Sequence, residues 1–179
     1  MAKTLGLRLQ VISIFLIFPL VASAQLHVPA VDTRFIERPG QPDIAYSIFV
    51  PGGYKASKPT PLILALHFSG NPEGAGRFFL EGMVAQAFED LGAIIVAPDS
   101  QGRSWTSPEN DRAINMLLDE TAKNFNIDKK RIAVTGYSMG ARGTWVMSSR
   151  HADLFTAADR KSTCLNSSHV SESRMPSSA

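Results

Sequence analysis

The chain is 179 residues long, 44% hydrophobic and 19% charged, which is enough for one domain with a buried core and too apolar for a disordered polymer. Its net charge of +2 belongs to its ends: residues 1–24 carry Lys3 and Arg8 and no acid, the last twenty carry Arg160, Lys161 and Arg174 against Glu172, and the stretch between is left at −2. No basic stripe survives there, so nucleic acid is excluded as the expected partner.

In chain order, the first element is an address. Lys3 and Arg8 precede the apolar run VISIFLIFPLV (residues 11–21), and ASA (residues 22–24) puts small residues before Gln25. This is the pattern of a signal peptide over residues 1–24, cleaved after Ala24. The run falls short of the roughly 20 apolar residues that span a bilayer, so no stable membrane insertion is expected after cleavage. The expected location is secreted or periplasmic. There is a single cysteine, Cys164, so an internal disulfide is impossible.

IAYSIFV (residues 44–50) alternates and ends at the turn signal PGGY. PLILALHF (residues 61–68) is a continuous apolar run, as for a strand buried on both faces. FLEGMVAQAFEDLG (residues 79–92) reads as a helix with Leu80, Met83, Val84, Ala87 and Leu91 on one face and Gly92 past its end. AIIVAPD (residues 93–99) is a second buried strand. Residues 107–125 form the clearest helix: Ser107 caps, Pro108 opens, and Ile114, Leu117, Leu118, Thr121 and Phe125 recur at helical spacing. RIAVTG (residues 131–136) is a third buried strand, and a helix follows from Met139 to His151. Alternating strands and helices predict a parallel sheet with right-handed crossovers. Polar clusters HFSGN, DSQGRSW and GYSMG fall at the carboxyl ends of its strands, where chemistry collects in such sheets.

Near Phe155 the pattern stops. Residues 159–179 are serine-rich and aperiodic, and are expected to be a disordered, non-native tail. RKSTCLNSSHVSESRMPSSA resembles translated adapter sequence. The expected organisation is therefore a signal peptide (1–24), the N-terminal part of an α/β domain (25–158) and the tail (159–179).

GYSMG (residues 136–140) carries the chemistry. Ser138 would stand on a sharp strand-to-helix turn with its hydroxyl exposed. Gly136 and Gly140 flank it because larger side chains would clash, with Tyr137 and Met139 between. A phosphate loop is excluded by the missing lysine, and GNPEGAG (residues 70–76) has no acid placed for a ribose. No cofactor or metal is expected.

LHFSG, then APDSQGRSW, then DKKRIAVTGYSMGARGTW together resemble the α/β-hydrolase fold, in the secreted carboxylesterases of the dienelactone hydrolase, phospholipase/carboxylesterase and polyhydroxybutyrate depolymerase-like group, related to prolyl oligopeptidase-type peptidases. The resemblance implies a three-layer α/β sandwich with a mostly parallel sheet, here C-terminally truncated. It implies Ser138 as nucleophile and an oxyanion hole from the Met139 amide and an amide of the loop after His67. That loop usually reads His-Gly; Phe68 replaces the glycine, leaving Ser69 as the aligned donor and Phe68 as the second. His67 is expected to support the loop, and Asp99 to line the pocket or cap the next loop. Arg142 is expected in a salt bridge, and Trp105 and Trp145 in packing.

A nucleophilic serine needs a base and an orienting acid. In this fold they follow the serine, acid first. His151 and Asp153 stand at the far end of the helix that Ser138 begins, about 18 Å away at 1.5 Å per residue. Asp159 and His169 belong to the expected tail. The triad's acid and base are thus expected to be absent and the chain as written inactive. The resemblance implies an ester substrate, free or linked to a polysaccharide or polyester. A prolyl oligopeptidase-type peptidase and a non-catalytic binding protein remain open.

Overall fold

The computed structural model describes residues 30–161; the expected signal peptide, His169 and Cys164 lie outside the described residues. Six strands form one sheet in the order β1-β2-β4-β3-β5-β6: β1 (Val31–Ile36), β2 (Ile44–Phe49), β3 (Thr60–Leu66), β4 (Ile94–Pro98), β5 (Ile127–Tyr137) and β6 (Ala157–Lys161). β4, β3, β5 and β6 run parallel, while β2 is antiparallel to both β1 and β4. The mostly parallel sheet expected from the alternation is present. β1 was not legible in the sequence, because its residues are largely exposed on an outer strand and it has no apolar run.

Helices cover both faces. On one, α3 (Pro108–Asn124) and α4 (Met139–Arg150) enclose a core of Leu62, Leu64, Leu66, Trp105, Ile114, Leu117 and Met147. Ser107 caps α3 by accepting a hydrogen bond from the Asn110 amide, with Pro108 at the first position. On the other face lie α1 (Ala75–Phe79), a π turn (Leu80–Val84), α2 (Ala85–Phe88) and a 3₁₀ turn (Glu89–Leu91). Here the expected single helix is corrected. The π turn takes an extra residue, so the buried set becomes Phe79, Leu80, Val84 and Ala85, while Met83, Ala87 and Leu91 face solvent. Gly92 ends the segment in the left-handed conformation (φ 58°).

The boundary expected after Ala158 falls inside β6. Asp159, Arg160 and Lys161 pair with Thr135, Gly136 and Tyr137 of β5. Composition hid this strand because it stands at the end of the sheet and four of its five residues are exposed, so no buried apolar run marks it.

Candidate active site

The carboxyl ends of β3, β4, β5 and β6 open on one side of the sheet, and the β1–β2 turn reaches the same side because β2 runs the other way. Ser138 stands there, between β5 and α4, with φ 54° and ψ −109°. It is the one non-glycine residue at positive φ among the described residues, a strained conformation that persists only where the surroundings impose it. Its amide donates to the Lys161 carbonyl of β6 at 2.9 Å, and its carbonyl accepts from Ala141 at 3.0 Å. The turn is thus held from the neighbouring strand on one side and by the first turn of α4 on the other.

Two close approaches explain the flanking glycines. A Cβ on Gly140 would stand 2.6 Å from the Leu66 carbonyl carbon and 2.9 Å from the His67 oxygen, and closer still to the Leu66 oxygen. A Cβ on Gly136 would stand 2.5 Å from the Gly140 carbonyl carbon and 2.8 Å from Thr144 Oγ1. Gly143 is a third case that motif reading missed: its Cβ would meet Trp105 Cβ at 2.5 Å. The signal was the small residue one turn after Gly140, but its partner Trp105 is distant in sequence. The result is an α4 whose N-terminus lies directly on the end of β3. Neither the Met139 nor the Ser69 amide donates to another protein group among the described residues.

His67 is fully buried. Its Nε2 accepts from the Ser100 amide at 3.1 Å, which places the proton on Nδ1, where it donates to the Phe68 carbonyl at 2.6 Å. Burial holds its pKa below the usual histidine value, opposed by the Phe68 hydrogen bond and by Asp99. The His67 carbonyl accepts from Trp105 Nε1 at 2.8 Å, and the two rings meet edge to face. Both ring nitrogens are therefore engaged with backbone. Phe68 places its ring edge-on to Phe78, Phe79 and Tyr137 at 6.0–6.3 Å between centroids. Phe78 is 66% exposed, so this aromatic cluster opens to solvent beside the serine turn.

The segment after β4 is organised by residues that no motif marked. Asn110, buried in the first turn of α3, accepts from the Gln101 amide at 2.7 Å and donates to the Gln101 and Ser104 carbonyls. Arg38 of the β1–β2 turn donates to Gln101 Oε1 at 2.8 Å. Trp105 is packed in the core, whereas Trp145 is 55% exposed with the Arg160 guanidinium 4.7 Å above its ring. Arg142 is exposed on α4, and among the described residues it makes no ion pair, so the expected salt bridge is not found there.

The remaining acids and bases do not gather at Ser138. His151 Nε2 pairs with Asp111 Oδ1 of α3 at 2.8 Å, at the far end of α4. Asp153 is exposed beyond that end. Asp159 lies opposite Thr135, three residues before the serine, with its carboxylate 3.5 Å from Thr135 Oγ1. Among the described residues no group of three His, Cys, Asp or Glu side chains could hold a metal ion, and no helix is long and apolar enough to cross a membrane. A cavity of about 430 Å³ opens at the opposite end of the sheet, beside Lys58, Thr60, Asp90 and Arg131.

No family model matches the chain. It is 30% identical to acetylxylan esterase A of Emericella nidulans over 128 residues, 64% of this chain and 40% of that protein. It is 28% identical over 123 residues to a probable feruloyl esterase C of Aspergillus flavus, covering 64% of this chain and 44% of that protein. The chain thus spans less than half the length of these curated relatives. Its fold superimposes on FphF, a fluorophosphonate-binding serine hydrolase of Staphylococcus aureus, with TM-score 0.61 at 16% identity, over 74% of this chain and 56% of that one. The chain has the α/β fold of these hydrolases. At that identity the likeness carries the architecture and leaves the chemistry to the residues.

Proposed function

We propose that the chain carries the nucleophile-bearing part of a serine hydrolase that cleaves carboxylic esters. The observation that carries this reading is the backbone of Ser138, held at positive φ between Gly136 and Gly140 at the mouth of the sheet. Ser138 attacks the ester carbonyl. The developing oxyanion is received by the amides of Met139 and Ser69, with Phe68 as the second candidate in the loop. A donor of this kind contributes about 3 kcal/mol to the transition state. The helix N-terminus behind Ser138 adds a favourable partial charge. The alcohol leaves as the carbonyl re-forms, taking the proton that the general base removed from Ser138, and water then hydrolyses the acyl-Ser138 ester to release the acid and regenerate the serine.

The general base is to be sought outside residues 30–161, because His67 spends both nitrogens on loop backbone and His151 is paired with Asp111. The acetylxylan and feruloyl esterases similar to this chain support a substrate whose acyl group is linked to a polysaccharide, met after export through the signal peptide of residues 1–24. A peptidase and a binding protein are the competing outcomes. Fluorophosphonate labelling of the protein expressed from its full reading frame, with Ser138→Ala as control, separates enzyme from binder. Labelling confined to Ser138 supports the reading, and its absence overturns it. Acetyl and feruloyl esters assayed against peptide substrates then separate esterase from peptidase.

A further inference from the structure

The loop from Phe68 to Gly74 carries the Ser69 amide, and its own bonds are local: the Phe68 carbonyl accepts from His67 Nδ1 at 2.6 Å, Glu73 donates to Asn71 Oδ1 at 3.4 Å and Ala75 to the Pro72 carbonyl at 3.1 Å. Gly70 and Gly74, at φ 153° and 72°, leave its backbone free to take many paths. The Phe68 ring packs against Phe78, Phe79 and Tyr137, and two consecutive residues after β4 tie the loop to the next strand. At its start, the Ser100 amide donates to His67 Nε2. At its end, the two oxygens of Asp99 divide between two amides, Oδ2 accepting from Gly74 and Oδ1 from Gly76, each at 2.8 Å. Asp99 is itself anchored, its amide donating to the Ala45 carbonyl of β2 at 2.9 Å. A Cβ on Gly76 would stand 2.9 Å from the Pro98 carbonyl oxygen, so the start of α1 can approach β4 closely enough for both bonds.

We infer that Asp99 is a positioning residue: its carboxylate, shared between the Gly74 and Gly76 amides, fixes the loop and thereby the direction in which the Ser69 amide points. The inference rests on the reading of Ser69 as an oxyanion donor. An ionised carboxylate accepts at both oxygens and makes bonds about twice as strong as neutral ones. An asparagine has one acceptor oxygen and would turn an NH₂ group toward the second amide.

The test compares Asp99→Asn and Asp99→Ala with wild type in the protein expressed from its full reading frame. Hydrogen exchange at residues 69–76 is expected to quicken about tenfold or more, with α3 and β5 unchanged. Fluorophosphonate labelling of Ser138 is expected to slow about tenfold. With a chromogenic ester, kcat is expected to fall while KM holds, since the Ser69 amide acts on the transition state. Unchanged exchange overturns the inference. So does a rise spread evenly over the chain, which marks general destabilisation, and so does a loosened loop with undiminished labelling and kcat. If wild type never labels but exchange still quickens in the loop alone, Asp99 stands as the loop's anchor and the serine-hydrolase reading falls.

Discussion

Replacing Gly140 by alanine places a methyl group against backbone, where no rotamer change can relieve it. The added Cβ would stand 2.6 Å from the Leu66 carbonyl carbon, and ordinary contact begins at 3.4 Å. The N-terminus of α4 must therefore back away from β3 by about 0.8 Å on this contact alone, and further to clear the Leu66 oxygen. Overpacking of this kind costs about 1–3 kcal/mol, and more when backbone must move. Against it, alanine is better than glycine inside a helix by about 1 kcal/mol. A net loss of at least about 2 kcal/mol is expected, which lowers Tm by about 4–8 °C for a chain of this size. Urea denaturation of Gly140→Ala, with Gly53→Ala as the matched control, measures it. Gly53 has nothing within 4 Å of its added Cβ and no positive φ, so that control is expected to stay within about 0.5 kcal/mol. A Gly140→Ala variant as stable as the control would show that α4 retreats freely, and that the close approach does not fix the serine turn.

Ser138→Gly relieves the positive φ and is expected to leave thermal stability unchanged or raised by about 1 kcal/mol while abolishing fluorophosphonate labelling; a clear loss of stability would show that the turn is not strained. Thr144 Oγ1 is buried with no hydrogen-bond partner among the described residues, so Thr144→Val is expected to be neutral or stabilising by up to about 1 kcal/mol, and a loss of that size in urea denaturation would refute the assignment. Trp105→Phe removes the donor to the buried His67 carbonyl and is expected to cost about 1–3 kcal/mol in the same assay. His67 has a folded pKa below that of the unfolded chain, so the unfolded state binds the extra proton as pH falls. Its stability contribution is full above about pH 6.5 and is lost as pH drops from there through the folded pKa. His67→Gln should flatten that part of a stability–pH curve, and an unchanged curve would place the acid sensitivity elsewhere.

Buried apolar runs and helix punctuation are local properties, and they were legible. The runs at β3, β4 and β5, and the Ser107–Pro108 opening of α3, follow from what each segment must bury or cap, so the alternating α/β order could be read directly. The position of Ser138 between its glycines was legible for the same reason, since the turn's steric demand falls on residues two positions away. What the tertiary structure alone decided depends on partners distant in the chain. β6 is an exposed strand whose place follows from pairing with β5, not from its composition. The π turn shifts the buried face of the helical segment after α1 because Leu80 and Val84 must both meet the sheet. The need for Gly143 arises from Trp105, and the setting of the loop after His67 arises from Asp99 and Ser100 of another strand. The sequence by itself determined where the tight serine turn stands between strand and helix; only packing decided how the backbone around it is held, because those contacts join segments that share no local pattern.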